Sequence, residues 1–303
     1  MIEKLIAKIN EKHSPIVAGL DPQLELLPPQ LLPEELTLES VGEAFLAFNM
    51  ALMDALQDVV PAVKPQIAMY ERYGIPGLIA YQKTVAYAKE KGFVVIADVK
   101  RGDIGSTSKA YADAHLGRVQ LGEKSVPVFD ADFATVNLYL GTEGIEPFKK
   151  VCAEFDKGLF VLVKTSNPGS AELQDKMVEG KPLYQLVGEA LEEWGASLRH
   201  GNYSDLGAVV GATHPETGAA LRKALPHTFF LVPGYGAQGA SGKDLAGFFD
   251  KEGSGVIVNS SRGIIGAWKK PEYESFGPER FAEAARKAAE DMREDIGKNI
   301  GLK

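Results

Sequence analysis

VVIADVKRGDIGST, residues 94–107, opens as a strand and closes as a charged turn. Val94, Val95, Ile96 and Ala97 are small or β-branched, and Gly92 and Gly102 bound the run. Four charges follow within six residues: Asp98, Lys100, Arg101 and Asp103. Strand alternation puts Asp98 and Lys100 on one face and Val99 on the other. A carboxylate therefore stands beside an ammonium at the end of an apolar strand. Gly102 permits the turn that carries Asp103, and Ser106 and Thr107 offer N-cap hydroxyls to a helix beginning near Lys109. A structural ion pair at a sheet rim would explain this stretch by itself. A functional reading needs partners from elsewhere in the chain.

The same unit recurs. Apolar runs are expected as strands at 15–21, 62–71, 133–141, 158–166, 206–213, 228–236 and 255–263, with Pro65 an awkward residue for the second. Helical spacing falls between them at 41–58, 76–91, 106–116, 145–155, 182–198, 215–224, 243–249 and 278–295. Ile2, Leu5, Ile6 and Ile9 add a short amphipathic helix at the start. Continuous rather than alternating apolar runs mean strands covered on both faces, as in a parallel sheet wrapped by helices. Eight such units point to an α/β fold, a (β/α)₈ TIM barrel forming a single domain over residues 1–303. A doubly wound open sheet would want a glycine-rich turn after its first strand, where this chain has GLDP, residues 19–22. The polar segment 167–181, NPGSAELQDKMVEGK, is too long for a plain turn and reads as a lid.

Composition narrows the class. With 33 basic and 41 acidic residues the net charge is −8, which argues against a nucleic-acid partner. Any anionic ligand must be caught by a local cationic site. Cys152 is the one cysteine, so no intrachain disulfide forms, and its setting reads as packing. The first residues mix Glu and Lys through their apolar positions, unlike a signal peptide, and no run of about 18 apolar residues suggests a membrane span. A cytoplasmic location is the default expectation. The five histidines are scattered and no paired zinc-ligand spacing exists, so no metal is expected.

In a barrel of this kind the active site gathers at the C-terminal ends of the strands. Those ends and the loops just past them supply Asp21, Lys64, Asp98 with Lys100, Thr165 with Ser166, Gln238 and Arg262. PGYGAQGASG, residues 233–242, is glycine-rich and leads into a helix, and NSSRG, residues 259–263, adds Arg262. Bare backbone N–H groups and a helix start suit an anion, and the loops after strands seven and eight are the usual phosphate position. A P-loop is excluded, because Gly242-Lys243 is followed by Asp244.

These residues resemble the orotidine 5′-phosphate decarboxylase family. DVKRGDIGST, residues 98–107, is similar to its D-x-K-x-x-D-I signature, and GLDP, Lys64, KTSNP at 164–168, PGYGAQG at 233–239 and NSSRG match in order. The extended lid and KTSNP resemble the longer, second type of this enzyme. The resemblance implies that Lys100 is the general acid at C6 of the pyrimidine and that Asp98 lies near the substrate carboxylate. It implies an alternating array completed by Lys64 and Asp103, with Asp103, Ile104 and Thr107 donated by the second subunit of a homodimer. It further implies that Asp21 binds ribose hydroxyls, that Thr165 and Ser166 face the pyrimidine, and that Gln238 and Arg262 hold the phosphate. The product is UMP, and neither metal nor organic cofactor is implied. Two alternatives stand beside it: a Mg²⁺-dependent sugar-phosphate decarboxylase or aldolase, with Glu71 as its extra ligand, and a non-catalytic nucleotide-binding barrel.

Overall fold

The computed structural model describes residues 1–236 and 239–300. Eight parallel strands close into a barrel: β1 Ile16–Leu20, β2 Ala62–Pro65, β3 Val94–Arg101, β4 Phe133–Val136, β5 Gly158–Lys164, β6 Leu206–Val210, β7 Phe230–Pro233 and β8 Val256–Ser260. Each pairs with its chain neighbours, and β8 returns to β1 through Ile16 opposite Val258 and Ala18 opposite Ser260. The expected TIM barrel is the observed architecture.

Period-two alternation divides the strand residues between two cores. Val17, Ala62, Val94, Ile96, Phe133, Phe160, Leu231 and Ile257 pack together inside the barrel. Their neighbours Val63, Val95, Ala97, Ala134, Val161, Val232 and Val258 face the surrounding helices. Helix α1, Ile2–Lys12, closes the N-terminal mouth by packing Ile2 and Leu5 onto the interior cluster. The Phe133 and Phe160 rings meet 5.0 Å apart in that cluster. The opposite mouth is left open to solvent-reachable polar side chains.

Several strands are shorter than their apolar runs. The stretch 62–71 leaves the sheet just past Pro65: Gln66 makes one last bridge to Asp98 and then caps a helix over Ile67–Glu71. The run at 133–141 stops at Val136, and Tyr139 and Leu140 stand exposed. Strand eight ends at Ser260, so Arg262 opens a short helix instead of ending a strand. The hairpin of Val119–Leu121 with Lys124–Val126 has no counterpart in the sequence reading. Helix α2, Gly105–His115, starts earlier than expected, with Ile104 at its N-cap and no side-chain cap. Gly105 makes the turn with φ +49°, so Ser106 and Thr107 fall inside the first turn and cannot cap it.

His115 closes α2 in a buried position, its ring stacked 5.1 Å from Phe129. Burial, and then the nearby Arg101 charge, push its pKa down to about 4. The unfolded chain, with His near 6.5, binds more protons between these values. Stability from the neutral ring is thus present above about pH 6.5 and is lost as pH falls toward about 4, to a total of about 3 kcal/mol. Urea midpoints at pH 7.5 and pH 5 should show this decline, and His115→Leu should flatten it. An equal decline in the variant would remove His115 as its source.

Candidate active site

The alternation that buries Ala62, Ile96, Phe133 and Ile257 inside the barrel continues one step further along each strand. It brings Lys64, Asp98, Thr135 and Asn259 to the C-terminal mouth as a polar layer above an apolar one. Asp98 is the hub. Its Oδ2 accepts from Lys64 Nζ at 2.7 Å and its Oδ1 from Lys100 Nζ at 2.5 Å. Thr135 Oγ1 donates to the same Oδ1 at 2.9 Å. Lys64 and Asp98 are buried, whereas the Lys100 side chain is 47% exposed and therefore reachable.

Burial pushes the Asp98 carboxyl up, but the Lys64 and Lys100 ammoniums beside it outweigh that and hold it well below the usual carboxylate range. Burial likewise pushes Lys64 down, and the Asp98 and Asp21 carboxylates more than reverse it. The site thus keeps a buried carboxylate ionised between two amines.

Two recesses open from this hub. The larger, of 530 Å³, has Lys64, Asp98 and Lys100 on one wall, Leu162, Val209 and Leu231 on its floor, and Thr165 and Ser166 beside it. Its cover is the polar segment read as a lid, which contributes Gly169, Ser170, Leu173 and Gln174. Lys164 pins that cover: its buried Nζ contacts Asp175 Oδ1 at 2.5 Å and Ser170 Oγ at 3.3 Å. Gln174 accepts from the Thr165 N–H at 2.9 Å and donates to Thr165 Oγ1 at 2.8 Å. The Thr165 hydroxyl is thereby engaged by the cover, while Ser166 lines the cavity. Gly211 allows this, since a Cβ there would stand 2.8 Å from the Ser166 backbone.

The smaller recess, of 330 Å³, shares Lys64 and Asp98 and runs to Asp21, Tyr235, Asn259 and Arg262. β1 can approach the loop after β8 because residue 19 is glycine; a Cβ there would lie 1.9 Å from Ser261 Oγ. Asp21 Oδ1 and Asn259 Oδ1 are buried without a hydrogen-bond partner among the described residues. Both are acceptors that hydroxyl groups of a ligand would satisfy. Arg262 is the exposed cation of this recess.

The helix start after the glycine-rich loop does not serve as an anion site. At Gly242–Leu245, Asp244 caps Ser241 in a capping box, and Asp295 Oδ2 accepts the Gly242 N–H at 2.7 Å. Two carboxylates already occupy the N–H groups an anion would use. Asp295 also accepts from Tyr235 Oη at 2.8 Å, so the last helix, Phe281–Ile300, fastens both ends of the loop. Gln238 lies outside the described residues.

Asp103, Ile104 and Thr107 line neither recess. Asp103 Oδ1 accepts the Ile104 N–H at 2.8 Å, and Ile104 is 46% exposed. Glu71, the carboxylate a metal-dependent alternative would need, also lines neither recess and pairs with Arg101 Nη2 at 2.5 Å. Thr135 and Asn259 are site residues that the sequence reading missed. Each lies two residues beyond an inward-facing apolar residue, a spacing that gives its face but not its role.

Comparisons with known proteins converge on one family. The model of the family described as "Orotidine 5′-phosphate decarboxylase / HUMPS family" matches residues 14–275. The chain is similar to the orotidine 5′-phosphate decarboxylase of Petrotoga mobilis, at 43% identity over 305 residues and 100% of both chains. It is similar to that of Rhodopirellula baltica at 43% identity over 297 residues, covering 97% of each. Among solved structures it is similar to the OMP decarboxylase of Leishmania donovani, with a TM-score of 0.75 and 28% identity, covering 99% of this chain and 98% of that one.

Proposed function

Because this chain belongs to the orotidine 5′-phosphate decarboxylase / HUMPS family and, like its full-length relatives, decarboxylates orotidine 5′-phosphate, we propose that Lys100 is the acid of that reaction. The observation that carries the reading is the ion cluster: one buried carboxylate, Asp98, between a buried Lys64 and a reachable Lys100.

The chemistry needs such a cluster. When the bond from C6 to the carboxylate breaks, CO₂ leaves and the electron pair stays on C6 in the ring plane. No ring π system delocalises it there. A fixed ammonium stabilises the developing charge, then gives its proton to C6 to form UMP, and regains one from water. Asp98 lies beside the departing carboxylate, and the repulsion between the two ends as CO₂ departs. The pyrimidine occupies the larger recess against Ser166, with Thr165 behind it. Asp21 takes ribose hydroxyls and Arg262 the phosphate in the smaller one. Gln238 belongs to the phosphate end on the strength of the resemblance alone. The test is the loss of orotidine 5′-phosphate absorbance with purified protein in EDTA. A rapid decline is expected, whereas a decline that requires added Mg²⁺ would favour the sugar-phosphate alternative.

The reading includes a homodimer in which Asp103, Ile104 and Thr107 serve the partner's site. Their absence from both recesses supports it, as do the exposed apolar side chains Ile104, Tyr139 and Leu140. The two segments that bear them lie together, since a Cβ on Gly102 would stand 2.7 Å from the Asn137 carbonyl oxygen. Mixing Lys100→Ala chains with Asp103→Ala chains should then restore roughly a quarter of parent activity. Half the dimers are hybrids, and each hybrid holds one intact site. No recovery after confirmed subunit exchange would count against a shared site. A cytoplasmic setting is also part of the reading, supported by the lack of any cysteine pair to oxidise.

A further inference from the structure

The strand that carries the reacting lysine is not regular. Ala97 pairs with Ala134 and Arg101 with Val136, so Asp98, Val99 and Lys100 together face the single residue Thr135. This is a bulge, and it deprives the intervening N–H groups of their ladder acceptors. Lys100 also holds φ +45°, a left-handed backbone that a β-carbon disfavours. Such a conformation persists only where its surroundings hold it.

One atom does the holding. Thr135 Oγ1 accepts the Val99 N–H at 2.9 Å and the Lys100 N–H at 3.0 Å, and donates its own proton to Asp98 Oδ1 at 2.9 Å. Thr135 is 1% exposed, and these contacts use the hydroxyl's full capacity of one donor and two acceptor positions. We infer that Thr135 is a positioning residue for decarboxylation: its hydroxyl ties the backbone of Lys100 to the carboxylate of Asp98 and so fixes the ammonium over the reacting carbon. This rests on the assignment of Lys100 as the acid. Thr135 itself transfers nothing. Its removal would leave the bulge free to relax, and an ammonium displaced by about 1 Å loses on the order of 10²-fold in rate.

Thr135→Val keeps the β-branched shape and deletes only the hydroxyl. Its kcat should fall about 100-fold, with affinity for UMP changed less than about threefold, because remote binding groups are untouched. Thr135→Ser restores the oxygen and should stay within about fivefold of the parent kcat. A Thr135→Val kcat within about threefold of the parent would overturn the inference. So would kcat and UMP affinity falling together in both variants, which marks a packing role. Amide exchange in the parent protein supplies a check that needs no variant. The Val99 and Lys100 amides should be protected like Ala97, and exchange at solvent rates would also overturn the inference. Lys100→Ala is the control: if it keeps turnover, the acid assignment fails, and if it is inactive while Thr135→Val is normal, only the role of Thr135 fails.

Discussion

Lys100→Ala is expected to lower turnover of orotidine 5′-phosphate by about 10⁵-fold, combining roughly 10²–10⁴ for a general acid with 10²–10³ for electrostatic stabilisation of charge. The size follows from the double use of one group in the proposed mechanism, where the same ammonium stabilises the carbanion and protonates it. Binding should survive. Asp21, Asn259 and Arg262 line the smaller recess and remain in place, as does Ser166 in the larger. UMP affinity within about tenfold of the parent, by calorimetry, would separate lost chemistry from lost binding. Near-parent turnover would dismiss Lys100 as the acid.

Asp98→Asn should damage both rate and fold. Lys64 is 4% exposed and its ion-pair partner is Asp98 Oδ2. An amide there leaves a buried ammonium without its ion-pair partner, with only the Asp21 carboxylate near it, and sets two cations side by side. Breaking a buried pair in this way costs about 3–5 kcal/mol. In a chain of this size that is a fall in Tm of roughly 5–8 °C. The pH dependence has a definite sign. The folded Asp98 pKa is depressed, so its contribution is present above the unfolded value near 3.9 and is lost as pH falls through the lower folded value. The stability gap between parent and variant should therefore be full at pH 7 and shrink in acid below about pH 4. A variant with the parent's Tm at pH 7 would show that Lys64 finds its counter-charge elsewhere.

The barrel was legible because eight apolar runs, such as 94–97 and 158–163, are buried on both faces and recur between helical stretches. Run lengths misled at the strand ends. Residues 66–71 remain apolar enough for a strand, but Gln66 caps a helix with its side chain and the chain coils back. Lys64, Asp98, Lys100, Asp21 and Arg262 were legible as charges at strand mouths. Thr135 was not, because threonine is an ordinary strand former and its importance depends on a bulge in the neighbouring strand. The expectation of an anion site at the helix after the glycine-rich loop failed for a tertiary reason. Asp295, more than fifty residues away in sequence, takes the N–H. Asp103 illustrates a different limit, since its proposed site lies on a second copy of the chain.

The pairing of β8 with β1 has a bearing on biosynthesis. Asp21 follows the first strand and Arg262 the last, yet both border one recess. A growing polypeptide holds the early half of that recess long before the late half is made. Nucleotide therefore cannot template the fold before the last strand is made. It stabilises only the finished barrel, by mass action. Until the closing strand emerges, the β1 edge stays unpaired and open to wrong partners.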